Sequence, residues 1–302
     1  MTGKFMSTMA SYNSDNMIGK QIGTSIVLSE LARGSMAIVF VAYQKTLKRR
    51  IAVKILPKSF LTPKNATLFQ QEAESAAILS HPNIIPIYEV GETKEFLFFT
   101  MQLIQGFPLT QLLNMAQKQV LPSKRLIPVK QTCQCVTQIL DALHYAHQQD
   151  IIHRDIKPDN ILIEKHSHRP IITDFGVAKV LREEKEDHSM MIGTPLYMAP
   201  EQIIGETRGA RSDIYAIGIM LFEMLVPNLP LPEFDSSDAL LKYKLLNKKN
   251  FFKTKPSDLN PFLKKEMDRI VGRAIKYEAE KRYHNCQEFK SELEGYHQTY
   301  LQ

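Results

Sequence analysis

The run His153-Arg154-Asp155-Ile156-Lys157-Pro158-Asp159-Asn160 concentrates the side chains of this chain best suited to chemistry. Asp155 and Asn160, five residues apart, can set a base and an oxygen ligand around one reacting group. Lys157 between them can neutralise charge on a phosphate being transferred. A second group, Thr173-Asp174-Phe175-Gly176, follows the apolar pair Ile171-Ile172. An aspartate at a strand end ahead of a Phe-Gly turn suits Mg2+, which takes one or two carboxylates together with phosphate oxygens. The first run could be a charged surface turn, but it matches too many specified positions for that reading. Asp-Phe-Gly alone is a common turn and counts through its order and spacing after the first run.

The elements that must position these groups fall into two parts. From Ile22 to Phe99 short apolar runs alternate with turns. Ile38–Ala42 and Ile51–Leu56 read as strands rich in β-branched residues, joined by a polar, basic turn. A helix is predicted over Asn65–Leu79, with further strands at Ile84–Val90 and Glu95–Met101. After Gly106 the pattern becomes helical over Leu109–Gln117 and Val129–Gln148, the second with Val136, Ile139, Leu140 and Leu143 at helical spacing. Ile151-Ile152, Ile161–Ile163 and Ile171-Ile172 read as short strand-like runs that bracket polar loops. From Ile214 onward helix dominates, broken near 227–232 and 256–261. A strand-rich first third followed by helices predicts an α+β, two-lobed chain.

Composition removes several classes of function. No apolar run is long enough for a membrane-spanning helix, and the polar, Met-rich start has no secretory pattern, so residues 1–21 read as a flexible lead. Cys133, Cys135 and Cys286 fit neither a disulfide framework nor a zinc site and read as reduced thiols of a cytoplasmic protein. A net charge of +6 raises the question of nucleic acid. The basic residues are scattered, however, with no aromatic platform beside them, so no nucleic-acid partner is expected.

Taken together, these motifs resemble the eukaryotic-like (Hanks-type) serine/threonine protein kinases, over roughly residues 22–295. The resemblance implies a bilobal kinase fold: a small antiparallel N-lobe sheet with one main helix over about 22–102, and a larger, mostly helical C-lobe over about 103–302. It implies transfer of the γ-phosphoryl group of ATP to Ser/Thr hydroxyls of protein substrates, including autophosphorylation, with Mg2+ or Mn2+. Asp155 would accept or orient the hydroxyl proton, Lys157 would steady the γ-phosphate, and Asn160 and Asp174 would hold metal. Lys54, in Ala52-Val53-Lys54, would hold the α- and β-phosphates and pair with Glu72, Glu74 being the weaker candidate. Leu31, Ala32, Gly34 and Ser35 would form the phosphate loop, and Val39, Ala52 and Leu162 would sandwich the adenine. Met101 would back the adenine pocket, while backbone groups of Gln102 and Ile104 would meet its edge. Glu201, in Ala199-Pro200-Glu201, would pair with Arg282. Asp213 would support the catalytic loop. Phe175 and Thr194 would take structural roles and Arg154 would couple to the activation segment, opposite either a phosphorylated Ser189, the candidate autophosphorylation site, or the carboxylates of the acidic run 183–187.

The sequence departs from the family pattern at the phosphate loop, where Ala32 and Ala37 stand at the outer two glycine positions and only Gly34 remains. Weaker nucleotide binding is the expectation. The activation segment carries Glu183, Glu184, Glu186 and Asp187, with Ser189 its one hydroxyl before Thr194. Because Lys54, Asp155, Asn160 and Asp174 are all present, an active enzyme is expected over a kinase-shaped binding module. His81-Pro82-Asn83-Ile84 and the Gly193–Gln202 run look most like bacterial members. Those members can dimerise through the N-lobe, and many are longer proteins with a membrane anchor.

Overall fold

The computed structural model describes residues 14–34, 37–60, 66, 70, 73–74, 76–119, 125–175, 195–206, 209–248 and 250–301. The fold is α+β, in two compact units. Of the described residues, one comprises those up to Ser80 together with Ile85–Ile104; the other takes His81–Ile84 and those from Gln105 onward.

The first unit is built on an antiparallel six-stranded sheet of order β1-β2-β3-β4-β6-β5. Its strands are β1 (Gln21–Ile22), β2 (Ser25–Arg33), β3 (Ile38–Gln44), β4 (Arg49–Pro57), β5 (Ile87–Glu92) and β6 (Phe96–Gln102). Period-2 alternation sorts β3 onto two faces. Ile38, Phe40 and Ala42 close a core with Val27, Ile51, Val53, Ile55, Phe96 and Phe98. Central β4 is buried on both faces from Ile51 to Pro57, which accounts for its nearly unbroken apolar run. β5 starts at Ile87, later than the sequence pattern suggests, because Ile84 instead bridges to Ile172 of the second unit. Most of the predicted helix 65–79 lies outside the described residues; Ala73–Glu74 and Ala76–Ala77 are helical.

The second unit carries a small antiparallel sheet, β7 (Gly106–Pro108), β8 (Ile161–Glu164) and β9 (Pro170–Ile172). Its main helices are α1 (Leu109–Gln117), α2 (Val129–His147), α3 (Ala210–Leu225), α4 (Ser237–Leu246), α5 (Lys265–Ala274) and α6 (Cys286–Tyr300). In α2 one stripe, including Val129, Cys133, Val136, Leu140 and Leu143, is buried. In α3 every residue from Ser212 to Leu225 except Glu223 is buried, as befits a central helix. A Cβ at Gly218 would stand 2.7 Å from Ala274 Cβ, so glycine there permits α3 and α5 to approach closely. Ser236 caps α4 by accepting from Ala239 N at 3.2 Å, and Asn285 caps α6 by accepting from Glu288 N at 2.8 Å. Caps of this kind stabilise a helix by about 1 kcal/mol each.

Two expectations need correction. Ile151-Ile152 is not a strand; it receives the end of α2. Asp150 takes a left-handed φ of 59°, and Asp150 N and Ile151 N donate back to His147 O and Ala146 O. That pairing is a Schellman closure of the last helical carbonyls. The stretch near 256–261 is no simple break either, since Pro256 opens a helical turn, Pro256–Leu259. Proline's missing N–H is harmless at a first helical position.

Candidate active site

The loop 151–157 has no regular structure, so its amides need partners from elsewhere. Asp213, buried in the first turn of α3, supplies two of them. Its Oδ2 accepts from His153 N at 3.0 Å and its Oδ1 from Arg154 N at 2.8 Å. His147 Nε2 stands 2.8 Å from the same Oδ2. Burial pushes the Asp213 carboxyl up, but the His147 hydrogen bond and charge and the Arg154 amide outweigh it. The group is held below the ordinary carboxylate value. This anchorage offsets a left-handed Arg154 (φ 68°), which for a side-chain-bearing residue costs about 1–2 kcal/mol.

His153 ties the loop to the end of β9. Its Nδ1 accepts from Asp155 N at 3.3 Å, which leaves Nε2 as the donor to Thr173 O at 2.8 Å. Its ring lies 4.7 Å from that of buried Phe175. The Asn160 carbonyl accepts from Thr173 N at 2.9 Å and from Thr173 Oγ1 at 3.2 Å. The chain then enters Asp174 in a left-handed conformation, φ 61°. Asn83 sets the start of the same strand: its carbonyl accepts from Ile172 N at 2.8 Å and its Nδ2 donates to Pro170 O at 2.7 Å.

These constraints gather Asp155, Lys157 and Asn160 into one cluster. Asp155 Oδ2 accepts from Lys157 Nζ at 2.9 Å and from Asn160 Nδ2 at 3.2 Å. Asn160 Nδ2 also donates to Asp155 O at 2.8 Å. The amide nitrogen is spent on Asp155, so Oδ1 is the Asn160 atom suited to a hard cation. Among the described residues no three or more His, Cys, Asp or Glu side chains cluster as a self-contained metal site. A metal held by one amide oxygen, one carboxylate and phosphate oxygens requires no such cluster.

Beside this loop stands the segment 195–202. Gln202 Oε1 accepts from Ala199 N at 2.9 Å, and its Nε2 donates to Arg154 O at 3.0 Å, one residue before Asp155. Glu201 and Arg282 form a buried pair with two bonds of 2.7 Å. Tyr197 donates its hydroxyl to Glu223 at 2.5 Å. Burial, moderated by that bond and reinforced by the charge of Asp159, pushes the Glu223 carboxyl up.

In the first unit, strand register places the expected nucleotide residues together. Val39 lies opposite Lys54, Lys54 opposite Phe99 and Ala52 opposite Met101, and Ala32 lies opposite Val39. Partners directly across an antiparallel ladder share a face, and this face is the one turned away from the Phe40–Val53 core. Leu31 falls at a register shift between Glu30 and Ala32 and is exposed. Gly34 N donates to Ala37 O at 2.9 Å, and a Cβ on Gly34 would lie an ordinary 3.4 Å from that oxygen. The fold itself therefore tolerates a side chain at Gly34. Gln102 N is engaged by Pro86 O at 3.1 Å. Leu162 lies on β8 in the second unit, opposite Ile171.

Ser35, Glu72, Ser189 and Thr194 lie outside the described residues. The sequence reading did not single out His147, Gln202, Glu223 or Lys244. His147 and Gln202 had a faint signal, one closing the helix before the loop and the other following Glu201. Cys286 Sγ, 3.6 Å from His147 Nδ1, completes a nucleophile–base–carboxylate order with Asp213. It is no nucleophile: the thiol is fully buried, and burial together with the Asp213 charge pushes it far above its ordinary value.

Comparison with known proteins agrees with this geometry. The family model described as "Protein kinase domain" matches residues 26–293. A probable serine/threonine-protein kinase, PknB of Lactococcus lactis, is 35% identical over 88% of this chain and 41% of its own. The serine/threonine-protein kinase PrkC of Bacillus subtilis is 32% identical over 92% of this chain and 41% of its own. The chain thus spans about two fifths of the length of these curated relatives. Among solved structures, the PknI kinase domain of Mycobacterium tuberculosis superposes with a TM-score of 0.71 at 24% identity, covering 92% of this chain and 98% of that one. The chain belongs to the protein kinase domain family.

Proposed function

We propose that this chain is a serine/threonine protein kinase that moves the γ-phosphoryl group of ATP onto Ser/Thr hydroxyls of proteins, itself included. The observation that carries the reading is the convergence of Lys157 Nζ and Asn160 Nδ2 on one oxygen of Asp155, at 2.9 and 3.2 Å. Two donors fix the carboxylate's orientation so that it can receive a hydroxyl proton as the oxygen attacks phosphorus. The bond to the ADP oxygen breaks in the same displacement, and Lys157 balances the charge spread over the transferring oxygens. The family uses ATP with a divalent cation, which when bound neutralises the β- and γ-phosphate oxygens. Asn160 Oδ1 and the Asp174 carboxylate are hard oxygen donors that fit Mg2+, with Mn2+ the runner-up.

Lys54, on the face with Val39, Ala52 and Met101, would hold the α- and β-phosphates, and Leu162 would complete the adenine sandwich. The Gln102 N–H is already occupied, so the Gln102 carbonyl and the Ile104 N–H are the backbone groups left for the adenine edge. In this reading residues 22–302 form the kinase domain, with an N-lobe over about 22–102 and a C-lobe over about 103–302. A cytoplasmic setting fits three unpaired cysteines, with burial pushing the Cys133 thiol up to about 12. No helix among the described residues is long and apolar enough to cross a membrane. Pairing of two copies, and no nucleic-acid partner, complete the reading.

The test is transfer of labelled phosphate from Mg·ATP to the protein and to a generic basic protein, beside Asp155→Asn and Lys54→Met. Labelled serine or threonine, lost in both variants, is expected. A wild-type protein that binds nucleotide and transfers nothing would make it a binding module instead.

A further inference from the structure

Lys244 is a buried lysine with no carboxylate bonded to it among the described residues. It lies on α4, is 1% exposed, and sits with its ammonium 5.0 Å from the ring centres of both Tyr215 and Phe251. Its Nζ donates to three backbone carbonyls of one short stretch: Pro195 O at 3.2 Å, Leu196 O at 2.6 Å and Met198 O at 2.8 Å. Three acceptors match the three protons of an ammonium group. Burial drives this ammonium well below its ordinary value, the charge of Arg282 adding to the effect and that of Glu201 opposing it. A methionine would fill the space without that desolvation cost. It would also leave the three carbonyls without this donor, so what the lysine does is hold those carbonyls.

The stretch it holds leads directly to the reacting cluster. Ala199 N is bonded to Gln202, and Gln202 to Arg154 O, the carbonyl before Asp155. Tyr197, between two of the held carbonyls, is fastened by its hydroxyl to Glu223. Residues 195–198 are thus pinned by side chains of α3 and α4, at a place where the backbone has no regular ladder of its own.

We propose that Lys244 is a positioning residue for the protein substrate: by holding the Pro195, Leu196 and Met198 carbonyls it sets the edge beside Asp155 along which the acceptor polypeptide lies. This rests on the kinase reading, and it separates the acceptor, which needs Lys244, from ATP, which does not.

The experiment compares wild type with Lys244→Met, Lys244→Gln and, as a control on the exposed side of the same helix, Lys242→Met. The substrate is the best serine peptide found for the wild-type protein. Peptide KM and ATP KM are measured separately, and amide hydrogen exchange over 196–202 is followed without nucleotide. In Lys244→Met the peptide KM is expected to rise about tenfold or more, the size of one or two lost buried hydrogen bonds. ATP KM should stay put, and exchange over 196–202 should quicken while α3 remains protected. Lys244→Gln, which keeps two N–H donors, should fall between, and Lys242→Met should match wild type. An unchanged peptide KM, an equal rise in both KM values, or a failure of both Lys244 variants to fold would overturn the proposal. A wild type that phosphorylates no peptide would instead remove the kinase reading, and with it the substrate role. In that case faster exchange in Lys244→Met would mark Lys244 as a structural clamp alone.

Discussion

Arg282 and Glu201, separated by 81 residues of sequence, close a two-bond fork, Nη1 to Oε1 and Nη2 to Oε2, each at 2.7 Å. The other guanidinium donors go to Lys276 O at 2.7 Å, Arg211 O at 2.9 Å and Tyr277 O at 3.0 Å. All five N–H groups are therefore used. Lysine offers three donors and no fork, so Arg282→Lys leaves buried acceptors unmatched. Breaking a buried pair of this kind costs about 3–5 kcal/mol. Urea unfolding of Arg282→Lys and Glu201→Gln should show a loss of that order, and stability near wild type in both would refute the assignment.

The same pair gives a pH signature. Burial raises the Glu201 carboxyl, but the Arg282 hydrogen bond and charge, with backbone and Ser212 donors, bring it below its ordinary value of 4.5. A depressed folded value means that the contribution is present above about 4.5 and disappears as pH falls through the lower folded value. Glu201→Gln, which cannot titrate, should therefore lose stability less steeply on acidification than wild type. Parallel acid limbs for the two proteins would count against a depressed Glu201.

Asp213 acts on the reaction only through the loop it holds. Asparagine in its place has a single acceptor oxygen for three donors: His153 N, Arg154 N and His147. The loop bearing Asp155 should shift. A displacement on the scale of 1 Å in a reacting group costs about a hundredfold in rate. Asp213→Asn is thus expected to lower kcat by that order while ATP KM changes little. A KM effect with intact kcat would place Asp213 in nucleotide binding instead.

Much of this arrangement was legible in the sequence where side-chain type and spacing carry the information. Leu109–Gln117 is a helix with the predicted bounds, because its apolar residues recur at helical spacing. Asp155, Lys157 and Asn160 meet because the short loop that carries them turns back over Pro158–Asn160, where the Asn160 amide reaches Asp155 O. The end of α2 was not legible: Ile151 resembles a strand residue, and only the left-handed turn at Asp150 shows that it closes a helix. Lys244 was equally hidden. Its partners are main-chain carbonyls, which every residue possesses, so nothing in residue type announces them.

The phosphate loop allows a substitution in the direction of gain. Ala32 is exposed on β2 opposite Val39, at an outer position of the Gly34 turn. If its methyl keeps the backbone away from phosphate, Ala32→Gly should lower ATP KM. Glycine in a strand costs about 0.5–1 kcal/mol in stability. Tighter ATP use together with a slightly lower melting temperature is the expected pair of changes. An unaltered ATP KM would show that the methyl is harmless.

Asn160 and Lys157 both bond to Asp155 Oδ2, yet they should separate under metal titration. Asn160→Ala removes a donor to Asp155 and also the amide oxygen assigned to the cation. Lys157→Ala removes only a positive charge and a donor. In Asn160→Ala the Mg2+ concentration giving half-maximal rate should rise by about tenfold or more, the scale on which loss of supporting groups weakens metal sites. In Lys157→Ala the rate should fall with that concentration unchanged, since no oxygen ligand is lost. Chelation should abolish transfer in every variant. If the two substitutions shifted the Mg2+ requirement equally, Asn160 would be orienting Asp155 rather than holding metal, and Asp174 would remain the one metal ligand assigned here.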